Sequence, residues 1–444
     1  MLTQLTLKNF KIWKSTGQIE LAPVTLFLGT NSSGKSSLIQ SLLMIRQTVN
    51  APDESIDLNL GDHQKGDSVE LGKFKDLLCR HGDSLLVGVE FGWSPEGEVK
   101  DRSIFSAAYK SGKNGEAILE SLRMGIDTKS WWVIRQKDRI YRLIFGYGER
   151  ARIKQGEEFR PIRSFGLSPA TLSGLGEAAP PILESTLQLQ SELRKITYLA
   201  PLRELASRAY GWNGQNPTTF ADDGGRTIDA LIASGVAYNH SQQRKMPVVP
   251  PLADLILGVS KWLKQMDLAD SISVKQVGKS YLYEILVHRD GKASNLCDVG
   301  VGVSQVLPVI IAALHARPGH IVILEEPESH LHPLAQAVLA ELLTTVSRER
   351  KVQFLIETHS EHMFRRLQTL LAKADVLPAE CALYFIEKEN GTASIRRLAV
   401  DEYGKVKNWP DKFFGDTLGE TRTQTEYAIR RAKEERAKSV STPD

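Results

Sequence analysis

The chain of 444 residues is long enough for one large domain or two to three ordinary ones, which excludes a disulfide-stapled miniprotein. Its residues are 41% hydrophobic and 25% charged, as in a globular protein, and 56 Lys+Arg against 53 Asp+Glu leave a formal charge of only +3. A field that weak excludes a protein that grips nucleic acid by overall charge; such a partner needs basic residues gathered on one face. Cys79, Cys297 and Cys381, odd in number and without a C-x-x-C pair, fit a reducing compartment, so the expected address is the cytoplasm. The longest apolar run, Val306 to Leu314, is about half of the roughly 18 residues of a membrane span and contains Pro308. Lys8, Lys11 and Lys14 interrupt what would be the apolar stretch of a signal peptide. No membrane partner is expected.

In chain order, Leu2, Leu5, Leu7 and Phe10 give the alternation of a first strand, and Val24 to Leu28 is a short apolar run of the kind a buried strand makes. A glycine loop follows, then Ser36 to Val49, where Leu38, Leu42, Ile45 and Val49 recur at helical spacing. Residues 85 to 147 read as β-strands joined by turns, with Val87 to Phe91, Trp131 to Arg135 and Ile140 to Phe145 the clearest. Residues 181 to 196 and 251 to 268 read as helical, and Gly211 to Gly225, rich in Gly with Asn213, Asn216 and Pro217, as a loop or mobile lid. Ile272 to Val277 and Tyr281 to His288 form a hairpin pattern around Gly278 and Lys279. The last third alternates: helix near Ser304 to His315, strand Ile321 to Leu324, helix Leu334 to Val346, strand Val352 to Ile356, helix Glu361 to Leu371, strand Leu383 to Ile386. Helices alternating with short continuous apolar strands predict an α/β fold with a mostly parallel, helix-covered sheet.

The chemistry sits at three strand ends. Gly29-Thr-Asn-Ser-Ser-Gly-Lys-Ser36 matches G-x-x-x-x-G-K-S at every fixed position. In such a loop the backbone N–H groups of Gly29, Asn31, Ser32, Ser33, Gly34 and Ser37 wrap phosphates, Lys35 reaches the β and γ oxygens, and Ser36 holds Mg²⁺. The second half of an ATP site needs an apolar strand ending in carboxylates, and Ile321-Val-Ile-Leu-Glu-Glu-Pro-Glu328 supplies it. Glu325 is the candidate metal residue and Glu326 the candidate catalytic residue that polarises the attacking water. A third strand ends in Ile356-Glu-Thr-His-Ser360, where His359 can hydrogen-bond the γ-phosphate or the water. His330 with His332, and His359 with Glu361 and His362, have zinc-ligand composition, but no H-E-x-x-H spacing supports zinc over phosphate chemistry.

Together these residues resemble the ABC-type ATPase heads of the SMC, RecF and OLD group, and within it the stand-alone bacterial ATPases of AAA type. The resemblance is carried by L-x-N-F-K at Leu7 to Lys11, the P-loop, Glu325-Glu-Pro-Glu-x-x-Leu-His-Pro333 and Glu357-Thr-His-Ser360. Asp298-Val-Gly-Val-Gly-Val-Ser-Gln-Val-Leu-Pro308 is similar to the group's signature loop, although glycines alternate with valines and the serine comes later than in L-S-G-G-Q. The resemblance implies that Gly300, Gly302, Ser304 and Gln305 cap ATP held on the P-loop of a second copy. Tyr198-Leu-Ala-Pro-Leu-Arg203 resembles an element of these proteins, and Asn408-Trp-Pro-Asp-Lys-Phe-Phe414 resembles an uncharacterised domain that trails many of them.

The implied organisation is an ABC-type P-loop head formed by 1–180 and 271–400, an inserted helical lobe or lid at 181–270, and a tail domain at 401–444. No sustained heptads support an SMC-type arm, and the region after Ile386 lacks the D-x-D of a TOPRIM nuclease. Three functional readings follow. The first is an ATP- and Mg²⁺-dependent ATPase that oligomerises head to tail and controls an effector such as a nuclease or toxin, in antiphage defence. The second is a RecF-like ATPase acting directly on DNA, and the third a scaffold that binds ATP without hydrolysing it. The charged run Arg430 to Lys438 has opposite charges at helical spacing and reads as a solvated helix rather than a nucleic-acid arm.

Overall fold

A computed structural model describes residues 1–62, 64, 66–94, 102–126, 129–137, 140–145, 152–246 and 250–408. Residues 409–414 of the tail motif and the charged run at 430–438 lie outside the described residues.

Strands β1 (Leu2–Phe10), β2 (Trp13–Ser15) and β3 (Ile19–Glu20) precede β4 (Val24–Gly29), which leads through the glycine loop into α1 (Lys35–Asn50) and the short α2 (Phe74–Leu77). A meander follows: β5 (Val87–Trp93), β6 (Ser103–Ser111), β7 (Ala117–Ile126), β8 (Lys129–Lys137), β9 (Ile140–Phe145) and β10 (Arg152–Gly156). Then come α3 (Pro169–Ser173), α4 (Ala179–Arg194), β11 (Ile196–Leu199), β12 (Tyr210–Gly211), α5 (Thr227–Gln243), α6 (Asp254–Gln265), β13 (Ser271–Gln276), β14 (Leu282–Arg289) and β15 (Lys292–Asn295). The last part alternates α7 (Val301–His315), β16 (Ile321–Glu325), α8 (Pro333–Arg350), β17 (Gln353–Thr358), α9 (Glu361–Ala372), β18 (Cys381–Glu389) and β19 (Thr392–Arg397).

Three sheets result. The central six-stranded sheet has the order β11-β16-β17-β4-β18-β19, and all its pairs are parallel except β18 with β19. A nine-stranded antiparallel sheet runs β10-β9-β8-β7-β6-β5-β1-β2 with β3 on β1, and a four-stranded one joins β12 to β15. The expected mostly parallel, helix-covered sheet with an antiparallel β part is therefore present. Its continuous apolar runs have a direct cause: both faces are covered, so alternate residues enter different cores. Phe27, Ile321, Ile323 and Leu355 face a core shared with Leu38 and Leu42 of α1, Leu189 of α4, and Phe91 and Trp131 of the antiparallel sheet. Leu26, Leu28, Val322, Leu324, Phe354 and Ile356 face the opposite core, filled from α5 to α9 by Leu231, Val259, Ile310, Leu342 and Leu367. At roughly 1.5–3 kcal/mol per fully buried large aliphatic side chain, these two layers clamp β4 and its loop from both sides. Among the described residues no helix is long and apolar enough to cross a membrane.

Two features differ from the sequence reading. Within 181–270, β11 is a strand of the central sheet, pairing Leu199 with Leu324 on β16. Helix α5 escapes periodicity because Ala230, Leu231, Ile232 and Ala233 are consecutive buried residues rather than a stripe. The Gly211 to Gly225 segment is a loop, one of the two alternatives read from the sequence, and its end is tied down, since Ala200 N–H donates to Asp222 O at 2.7 Å and Glu204 N–H to Asp223 O at 3.0 Å.

Candidate nucleotide site

Because β16, β17 and β4 are parallel neighbours, their carboxyl ends emerge side by side, where open α/β sheets bind ligands. Register pairs Glu325 with Glu357 and Thr358 with Leu28, one residue before the glycine loop. Gly29 (φ 149) and Gly34 (φ 110) occupy conformations that other residues rarely adopt. A Cβ on Gly29 would lie 2.1 Å from the Ile386 carbonyl oxygen, and one on Gly34 2.7 Å from Ile12 Cγ2. Trp13 braces the loop by donating from Nε1 to the Gly34 carbonyl at 3.1 Å. Thr30, Asn31 and Ser32 are exposed, with Ser32 at φ 58, whereas Ser33 and Ser37 are buried and Ser33 Oγ has no hydrogen-bond partner. Helix α1 has neither a side-chain cap nor an acidic first turn, so its N-terminal amides are open to an anion.

Lys35 is buried and folds over its own loop, donating to Thr30 O at 2.9 Å and Gly29 O at 3.2 Å. Burial lowers its pKa, and Glu357, 3.7 Å away, opposes that shift. The carboxylate bonded to Ser36 is Glu357: Ser36 Oγ donates to Glu357 Oε1 at 3.0 Å, and Glu357 Oε2 is buried without a hydrogen-bond partner. Glu325 instead accepts from the Tyr198 hydroxyl at 3.0 Å. Burial, then the Glu357 charge, push its carboxyl up to about 8. Burial likewise raises Glu357 and Glu328 above the usual carboxylate range. Glu326 sits at φ 43, its N–H donating to Glu357 O at 2.9 Å and its carboxylate accepting from Ser329 Oγ at 3.2 Å. His359 stands exposed at the rim, its N–H held by Glu328 Oε1 at 2.8 Å. Desolvation, followed by the Lys35 charge, lowers its pKa, so the ring is neutral at pH 7.

Lys35, Ser36, Glu325, Glu326 and His359 thus converge, joined by two carboxylates that the sequence reading did not single out. Glu357 was visible as the acidic residue of Glu357-Thr-His-Ser360, and Glu328 as the last acid of Glu325-Glu-Pro-Glu328; what each touches is tertiary. Gly300 and Gly302 begin α7, whose N-terminus carries no side-chain cap, with Ser304 partly exposed. Gln305 is 6% exposed, and its carbonyl is bonded by Arg203 within the protein. Among the described residues no hydrogen bond joins residues 300–305 to the P-loop of the same chain.

The loop cradle and the acidic strand ends agree with a family model described as an AAA ATPase domain, which matches residues 1–124 and 244–364, more than half of the chain. The chain belongs to this AAA ATPase family. It is an ATP-binding ATPase with an α/β fold, built on a central, mostly parallel sheet that carries the glycine loop. A second model, a protein of unknown function (DUF3696), matches 376–424 and so takes in β18 and β19. No curated protein matches. Among solved structures, an SMC head bound to the C-winged helix domain of ScpA shares 14% identity over 90% of this chain and 98% of that one, TM-score 0.47. The SMC head domain from Thermotoga maritima shares 16% over 90% and 99%, TM-score 0.39. The Smc head domain with an extended coiled coil, bound to the C-terminal domain of ScpA derived from Pyrococcus furiosus, shares 13% over 90% and 96%, TM-score 0.46.

Proposed function

We propose that this ATPase closes head to tail on ATP, that hydrolysis opens the assembly, and that the two states control an effector protein such as a nuclease or toxin in antiphage defence. The observation that supports hydrolysis is the turn at Glu326, which brings a carboxylate, a neutral histidine and the P-loop lysine to adjoining strand ends. Glu326 takes the proton of the attacking water, His359 orients that water or the γ-phosphate, and Lys35 leaves its loop carbonyls for the phosphate oxygens. An all-oxygen donor set with an unpartnered carboxylate oxygen suits a hard cation. Ser36 with Glu325 and Glu357 would hold Mg²⁺, which supplies charge neutralisation at the β- and γ-phosphates. The signature residues Gly300, Gly302, Ser304 and Gln305 act in trans, offering the open N-terminus of α7 to the partner's nucleotide. In this reading 1–180 and 271–400 form the cytoplasmic head, 181–270 an insertion, and 401–444 a tail domain.

The test is Glu326→Gln with Mg-ATP. Phosphate release should fall on the order of 10²–10⁴-fold, and size-exclusion chromatography should show an ATP-dependent larger species that persists. Unchanged turnover and unchanged elution would reject Glu326 as the base. Salt-sensitive DNA binding of the wild type, accompanied by stimulated turnover, would favour the RecF-like reading instead.

A further inference from the structure

The Tyr198-Leu-Ala-Pro-Leu-Arg203 element has no place in the chemistry above, yet it grips the acidic strand end at several points. Strand β11 lies parallel to β16, and from it the Tyr198 hydroxyl reaches the Glu325 carboxylate. Beyond the strand the chain runs along the surface, with Leu202 85% exposed and only Arg203 turned inward, 6% exposed. Arg203 Nη2 donates to the carbonyl oxygens of Glu325 at 3.0 Å and Glu326 at 3.2 Å, and Nη1 to that of Gln305 at 3.4 Å. The loop carrying it is itself fixed, through the bonds of Ala200 and Glu204 to Asp222 and Asp223.

Burying a guanidinium is costly, and here it meets main-chain carbonyls rather than a paired carboxylate. What it holds is unusual backbone. Glu326 is a non-glycine residue at φ 43, a conformation that persists only where the surroundings impose it. Its N–H is tied to Glu357 O and its carbonyl to Arg203, so both flanking peptides are fixed. Freed of the guanidinium, Glu326 can relax toward extended backbone, which re-aims its carboxylate.

We infer that Arg203 is a positioning residue for hydrolysis: it holds the left-handed turn that aims Glu326 and, through Gln305, ties that turn to the first turns of α7. This rests on the reading of Glu326 as the base. The planar fork serves three carbonyls at once, which a lysine ammonium on its flexible stem does not reproduce.

The experiment compares wild type, R203K, E326Q and the double variant R203K/E326Q in single-turnover ATP hydrolysis, with affinity for a fluorescent ATP analogue and thermal melting measured alongside. R203K should lower the hydrolysis rate about tenfold to a hundredfold while the nucleotide Kd changes less than about twofold. In the E326Q background the same substitution should cause no further loss, because the residue it positions has already been disabled. A full rate in R203K, a loss explained by weaker nucleotide binding, or an equal loss in both backgrounds would overturn the inference. A wild-type rate in E326Q would instead overturn the assignment of the base, so the two failures are distinguishable. Arg203→Gln, which keeps two amide donors without the buried charge, carries the same test if R203K does not fold.

Discussion

Glu325 illustrates how much of the site lies in individual side chains rather than in the motif. With a carboxyl raised from 4.5 to about 8 by burial and by Glu357, it holds a proton in the ligand-free protein at neutral pH. Below pH 4.5 both folded and unfolded chains keep that proton, between 4.5 and about 8 only the folded chain keeps it, and above 8 neither does. Ligand-free stability should therefore fall as pH rises from about 5 to 8 and then level, with Glu325 contributing on the order of a few kcal/mol. Thermal melts of the wild type across that window should decline, while Glu325→Gln should melt higher at pH 8 and show a flatter profile. Gly29 gives a second residue-scale prediction. A methyl group 2.1 Å from the Ile386 carbonyl cannot be accommodated without moving β18, so Gly29→Ala should lower both the melting temperature and nucleotide binding, read in one thermal-shift titration with ATP. That the Gly29 to Ser36 loop would lie beside strand ends carrying Glu325, Glu326 and His359 was legible, because a glycine loop and apolar strands ending in polar residues are local patterns. The grip of Glu357 on Ser36, of Glu328 on His359 and of Tyr198 on Glu325 was not, because each joins segments far apart in the chain.

At the scale of elements, legibility followed how each segment is buried. Strands β4, β16 and β17 were readable because, covered on both faces, they are mostly apolar, with runs such as Leu26 to Leu28, Ile321 to Leu324 and Phe354 to Ile356. Strand β11 was not, since Ile196-Thr-Tyr-Leu199 is short and directly continues a helical pattern. The joint between the two large sheets was equally hidden. It rests on Gln353, whose Nε2 donates to Leu2 O at 2.7 Å and Ala22 O at 3.1 Å, while its Oε1 accepts from Leu2 N–H at 2.8 Å. All of this is buried, so Gln353→Leu would remove the side-chain partners of the Leu2 N–H and C=O, each costing about 1–3 kcal/mol if left unsatisfied, while the Ala22 carbonyl keeps the Thr25 hydroxyl at 3.2 Å. The variant should melt lower by several degrees, whereas Gln353→Glu, which keeps the acceptor but loses the amide donors, should fare no better at neutral pH. Because the joint lies at the start of β17 and the site at its end, nucleotide affinity of the folded Gln353→Leu protein should stay close to wild type.

The whole molecule poses a question of assembly. Its charge of +3 offers little reach for DNA, and its signature segment makes no hydrogen bond to the P-loop of its own chain among the described residues. If residues 300–305 act across a head-to-tail pair, each site takes its P-loop from one copy and its signature from the other. Lys35→Ala inactivates the P-loop and leaves the signature intact; Ser304→Arg, placed at the partly exposed start of α7, does the reverse. Each variant alone has two dead sites. In a mixed pair, one site combines both defects and the other combines the intact P-loop with the intact signature. An equal mixture with random pairing places half the chains in mixed pairs with one working site each, so turnover should recover to about a quarter of wild type. Phosphate release measured against the mixing ratio should peak at equal amounts and vanish at either end. Activity that never exceeds the sum of the separate variants would mean that the signature serves its own P-loop or none, and the head-to-tail reading would fail while the cis residues Lys35, Ser36 and Glu326 kept their roles.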